Sequence, residues 1–197
     1  MDLINRVKQI LVSPKTEWQT IDSENDTNVV VLTKYVLLLA AIPAIAAFIG
    51  YGIIGHSVLG FRFASINWGI REAIIQYITM VGGVYLIALV INLLSESFGS
   101  KKSFDKAFSL VAYAFTPMFI GGIFNIYPSL SIVASLAGIY GLYLLYTGLT
   151  PMMKTPDDKH TTYFVVSLLV MSAAVVTLGF VLTAVIIGSA YSALSGF

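Results

Sequence analysis

Polar and apolar positions in this chain fall into long blocks. No Lys, Arg, Asp or Glu occurs from Val36 to Phe61 or from Ala73 to Leu94. None occurs in the 47 residues between Lys106 and Lys154, or from His160 to the end. A helix needs about 20 apolar residues to cross about 30 Å of hydrocarbon. Unpaired backbone groups in lipid restrict a crossing to a helix or a closed barrel, and barrel strands alternate apolar with polar residues. These blocks do not alternate, so they predict transmembrane helices. The long third block contains Asn125-Ile126-Tyr127-Pro128, where Pro128 lacks a helical N–H and disfavours helix in the residue before it. Five spans follow, at residues 31–54, 73–95, 107–124, 128–150 and 162–188. The short turn between the third and fourth makes them antiparallel neighbours.

Ahead of the spans the pattern changes. Leu3, Ile4, Val7, Ile10 and Leu11 recur at helical spacing, with Asn5, Arg6, Lys8 and Gln9 between them. This predicts a short amphipathic helix at the membrane surface or packed under the bundle. Ser13-Pro14 ends it and has the form of an N-cap and first position of another turn. Residues 1–30 form a cytoplasmic segment and residues 31–197 a membrane domain. The expected fold class is an all-α integral membrane protein with five transmembrane helices and an N-terminal interfacial helix.

Composition agrees: 57% of residues are hydrophobic and 11% charged, against about 45–50% and about 25% in soluble domains. A net charge of +1 and a pI near 7.9 exclude a basic nucleic-acid binder, and the absence of cysteine excludes disulfides and thiol chemistry. The lipid bilayer is the one certain partner. Location of the charges says more than their sum. With the N-terminus inside, nine Lys and Arg face the cytoplasm (Arg6, Lys8, Lys15, Lys34, Lys101, Lys102, Lys106, Lys154, Lys159) and two, Arg62 and Arg71, face out. The positive-inside rule therefore predicts a cytoplasmic N-terminus and an external C-terminus.

Candidate chemistry is sparse. No ionisable residue lies in the middle of a span, which disfavours proton-coupled transport. Gln76 and Asn92 are the strongest polar side chains of the second span, and with Tyr113 and Thr116 they define a candidate polar path. His56 and His160 fall on opposite sides of the membrane and cannot share a metal; no catalytic motif is present. Neither a metal nor a cofactor is expected, nor an enzyme. Ala46 with Gly50, Ala134 with Gly138, Gly141 with Ala137, and Ala184 with Gly188 are small-residue pairs at four-residue spacing. Such faces let helices approach closely, within one bundle or between this chain and itself or another membrane protein. Pro43 and Pro117 lie inside spans and predict kinks.

The amphipathic start with Ser13-Pro14 and Trp18, the run Leu38 to Gly50, Ala112-Tyr113-Ala114-Phe115-Thr116-Pro117, and Tyr143 to Leu149 followed by Pro151, Lys154 and Pro156 carry a resemblance over nearly the whole chain. The sequence resembles the Yip-one family, named for interaction with Ypt/Rab GTPases, and within it the bacterial branch of inner-membrane proteins. That resemblance implies a five-span fold with a cytoplasmic N-terminus. Eukaryotic members are linked to vesicle trafficking through Rab binding, but their long N-terminal domains have no counterpart here. The expected function is a non-enzymatic, membrane-organising or protein-interaction scaffold in a bacterial inner membrane. The alternative is a small-solute or ion transporter or channel using the polar path.

Overall fold

The structure, a computed structural model, describes residues 2–58, 61–127 and 130–173. Two helices, α1 (Leu3–Val12) and α2 (Pro14–Glu24), form a hairpin. Helix α3 follows (Asn28–Ile54), then a two-stranded antiparallel ribbon of β1 (His56–Val58) and β2 (Phe61–Phe63). Helices α4 (Ile66–Phe98), α5 (Phe104–Ile126) and α6 (Ser131–Met153) come next, and α7 covers residues 157–173. The described residues are thus helical, apart from the ribbon, which hydropathy did not foretell. The fifth predicted span is described only as far as residue 173.

Among the described residues, three helices are long and apolar enough to cross a membrane. They are α3, α4 and α5, with mean hydropathies of 2.3, 2.2 and 1.7. Helix α4 starts seven residues ahead of the expected 73, so Arg71 and Glu72 sit inside it. The least apolar of the three, α5, is the most enclosed, with 67% of its apolar window buried against 22% for α4. It is the central post of the bundle, touching α3, α4 and α6. Its buried side presents Phe108, Val111, Tyr113 and Phe119. Exposed apolar residues lie on the outer faces, as Ile74, Ile78 and Leu93 do on α4 and Ile132 and Ile139 on α6. That is the arrangement expected where the surrounding solvent is hydrocarbon.

Both internal prolines coincide with irregular backbone. Pro43 lies between two π-helical stretches of α3, Leu32–Val36 and Phe48–Ile54. Pro117 opens the second half of α5, where the helix is interrupted at Phe115. A proline at 117 leaves the carbonyl of Tyr113 without its usual N–H partner. The Thr116 hydroxyl donates to that carbonyl at 2.6 Å and so satisfies it inside the protein. In lipid, no water is present to do so.

Helices α3 and α4 cross at Gly52 and Gly69, where a Cβ on Gly69 would run into the Gly52 backbone. Neither partner can move aside. Gly69→Ala is therefore expected to destabilise the protein by about 1–3 kcal/mol through overpacking. Gly82 has nothing within 4 Å of its would-be Cβ. Gly82→Ala should be neutral or stabilising by up to about 1 kcal/mol, the helix-propensity gain. Thermal unfolding of the two variants in detergent, followed by circular dichroism, checks the contrast.

Candidate functional site

The most unusual feature of the fold is where the N-terminal hairpin sits. Asp2 caps α1, its carboxylate accepting from the Ile4 N–H at 3.2 Å. Ser13 ends α1 by donating its N–H to the Gln9 carbonyl at 2.8 Å, and Pro14 starts α2 immediately. Asn25, in the left-handed conformation at φ 50°, ends α2. The hairpin packs against α5 and α6 with Ile10, Trp18 and Ile21 buried in the main core. Tyr140 on α6 donates its hydroxyl to the Leu11 carbonyl at 2.7 Å, and the Trp18 indole N–H donates to Thr147 at 3.3 Å. Gly148 makes room for that indole, since a Cβ there would lie 2.6 Å from both Trp18 and Leu110.

Arg6 is buried on this inner side, at 6% exposure, while Ile4 is 79% exposed. The helix was expected to turn Ile4 inward and Arg6 outward, and α1 does the reverse at these two positions. The cause is charge pairing. The Arg6 guanidinium donates through one terminal nitrogen to Glu17 and through the other to Glu24, both on α2. Its face lies over the Tyr113 ring, 5.6 Å from the centroid. Seven-residue spacing puts Glu17 and Glu24 on one face of α2, and Arg6 follows Leu3 and precedes Ile10 along one stripe of α1. That spacing was the signal available in the sequence. It was outweighed by the habit of assigning arginine to the polar face.

Above Arg6 the contacts continue into the bundle. Tyr113 meets Tyr35 edge-on at 4.7 Å and Trp18 at 6.4 Å. The Tyr35 hydroxyl lies 2.6 Å from the Thr116 hydroxyl, which itself donates to the Tyr113 carbonyl. At the hairpin base, beside the start of α5 and the end of α6, a second cluster clamps it. Asp22 pairs with Lys106 of α5 at 2.9 Å and with Lys154, the left-handed residue ending α6. Burial alone would raise the Asp22 carboxyl, but hydrogen bonds from Lys154 and Lys106 outweigh it and hold it below its ordinary value. Asp105 accepts from the Asn28 N–H at 2.7 Å, so a carboxylate of α5 caps α3.

The sequence-selected residues are distributed as follows. Tyr113 and Thr116 belong to the network under Tyr35. Gln76 and Asn92 lie far apart along α4, and the buried Asn92 side-chain oxygen has no hydrogen-bond partner among the described residues. Ala46 is buried, Gly50 faces the Asn125 and Ile126 carbonyls, and Gly141 faces that of Ala114. Gly138 has open space beside it and lines, with Gly141, Phe115 and Met171, an apolar pocket of about 410 Å³. Ala134 lies in α6, while Ala184 and Gly188 fall outside the described residues. His160 stacks on Tyr146 at 4.3 Å and contacts its carbonyl at 2.8 Å.

Two predictions test the clusters. Arg6→Met strands Glu17, which is 12% exposed, and should cost about 3–5 kcal/mol, the usual penalty for breaking a buried ion pair. Adding Glu17→Met should restore most of it, as read from thermal unfolding. Asp22 has a depressed folded pKa, so its contribution is complete above the unfolded value of about 3.9 and is lost as pH falls through the folded one. The midpoint of thermal unfolding should therefore be unchanged by this group from about pH 8 to 5 and fall only below about pH 4. In Asp22→Asn the midpoint should be lower at neutral pH and lack that acid step.

Residues 8–186 match the sequence profile described as the Yip1 domain. The inner membrane protein YohC of Escherichia coli strain K12 is 30% identical over 183 residues, covering 90% of this chain and 93% of that protein. The same protein of E. coli O6:H1 strain CFT073 matches to the same extent. No solved structure matches. The profile takes in most of the hairpin as well as the helices it packs against, so both are parts of one domain, and the chain belongs to the Yip1-domain family.

Proposed function

We propose that this protein is a non-enzymatic scaffold of a bacterial inner membrane, organising lipid or holding protein partners. It crosses the bilayer five times, with the N-terminus in the cytoplasm and the C-terminus outside. The observation that carries this reading is the filled interior. Trp18 of the hairpin and Tyr35, Tyr113, Phe108 and Phe119 of the bundle are fully or almost fully buried in one core. A route for a hydrated solute along α5 would have to displace them. Among the described residues, the apolar pocket has no charged lining residue to guide an ion. The name of the Escherichia coli relative supports the inner membrane, and the excess of Lys and Arg in the assigned cytoplasmic segments supports the orientation.

One observation favours a second reading, a small transporter or channel: the buried Asn92 oxygen, without a partner among the described residues, in a bundle with two proline-interrupted helices. Purified protein in liposomes should show no flux across a broad panel of ions and small solutes. Flux abolished by Asn92→Leu would replace the scaffold reading with this one. In native membranes, chemical cross-linking should capture a reproducible partner or oligomer. A reporter that is active only in the cytoplasm should stay silent when fused after Phe197.

A further inference from the structure

The hairpin reaches far into the bundle, and its outward face is polar. Asp22, Lys106 and Lys154 mark the level where charged side chains meet water. At about 1.5 Å per residue, the eight residues from Asp22 back to Pro14 carry the hairpin tip about 12 Å past that level. Along α6, the thirteen residues between Met153 and Tyr140, which holds Leu11 at the tip, give about 20 Å. One leaflet of hydrocarbon is about 15 Å thick. The tip thus lies at the depth of acyl chains. Yet Lys8, Gln9, Ser13, Lys15, Thr16 and Gln19 are all exposed there. Neither lysine takes part in an ion pair among the described residues. Lipid chains cannot solvate such a face, and a charged group at this depth persists only by drawing water and headgroups inward.

We propose that the α1–α2 hairpin is a re-entrant wedge whose outer face binds phospholipid headgroups, so that the cytoplasmic leaflet is locally thinned against α6. Three features select headgroups over other occupants. The face carries two unpaired cations, which complement phosphate. It is continuous at its base with the cytoplasmic belt of Lys106 and Lys154. Beside the tip on α6, exposed Ile139 adjoins Tyr140, which holds Leu11, and keeps the neighbouring surface at chain level. Headgroups drawn beside apolar helices would bend the leaflet around the protein. This inference rests on the cytoplasmic orientation proposed above and gives the lipid-organising role a physical means.

The chain has no cysteine, so single cysteines report cleanly. Gln9→Cys and Thr16→Cys test the wedge, Asp158→Cys is the exposed cytoplasmic reference and Ile139→Cys the lipid-facing one. In inverted membrane vesicles, a membrane-impermeant maleimide should label positions 9 and 16 within about tenfold of position 158, and position 139 at least about a hundredfold more slowly. Labelling at 158 with silence at 9 and 16 overturns the wedge and leaves the orientation standing. Silence at 158 overturns the orientation, and the wedge with it. In liposomes, a phospholipid with a photoreactive headgroup should attach to the hairpin, and Lys8→Glu combined with Lys15→Glu should reduce this at least about threefold. Attachment only of a probe at the acyl-chain end, or disulfide formation between copies at position 16, would show that headgroups are not the occupant.

Discussion

The placement of the N-terminal hairpin depends on holding one positive charge away from water. Arg6 cannot shed its proton, so inside the bundle it must be compensated where it stands. Glu17 and Glu24 do this, and they can do so only if α2 returns antiparallel beside α1. Once that geometry is set, Trp18 and Ile21, on the same face of α2, are aimed at α5 and α6. The indole then fills the space left by Gly148 and touches Tyr113. The aromatic cluster at the heart of the bundle is thus an outcome of an ion pair formed outside the spans. Buried ion pairs often add little net stability over apolar replacements. Here the pairing also fixes which side of the hairpin faces inward.

The second constraint comes from lipid, where every backbone group needs a partner within the protein. A proline in a span leaves a carbonyl orphaned, and at Pro117 the adjacent Thr116 hydroxyl supplies the missing donor. The same hydroxyl lies against Tyr35, so the interruption of α5 is tied to α3. Small residues serve a related need. With no hydrophobic drive between helices in hydrocarbon, close contact must come from shape. Gly50 against the Asn125 carbonyl, Gly122 against Pro43 and Gly69 against Gly52 are places where α3 meets its neighbours closely.

The extent to which the chain could be read in advance follows from the same physics. Blocks without charge are a strong signal because inserting a charge in hydrocarbon is costly. The helices through α6 were therefore legible in outline; in the structure Ser103 caps α5 and Asp105 lies in its first turn. Helix starts in water were not, since α4 extends through Arg71 and Glu72 where nothing forbids it. Periodicity found α1 but could not rank an arginine against an isoleucine for the buried side. That choice was made by two glutamates on another helix, and pairing between elements leaves no mark in a local pattern. The ribbon of β1 and β2 was hidden for a similar reason, as three-residue strands are too short for alternation to show. The contact of Tyr35 with Thr116 joins residues 81 positions apart, beyond any spacing argument.

The hairpin is held in two chemically different ways, and the difference bears on how it behaves. At its base, Asp22, Lys106 and Lys154 are partly exposed, and such pairs in water hold weakly and are screened by salt. Toward its tip, the Trp18 indole and the Tyr140 hydroxyl bond to partners shielded from water, where an unmade hydrogen bond is costly. Loosening the base alone therefore cannot release the hairpin. Withdrawal would expose Gly148, Leu110 and Tyr113 and leave Arg6 with its glutamates to find water. The hairpin is consequently a permanent part of the membrane domain and not a tethered arm. The hairpin edge of the bundle is a fixed polar surface set beside apolar helices, which any lipid or partner must meet in that form.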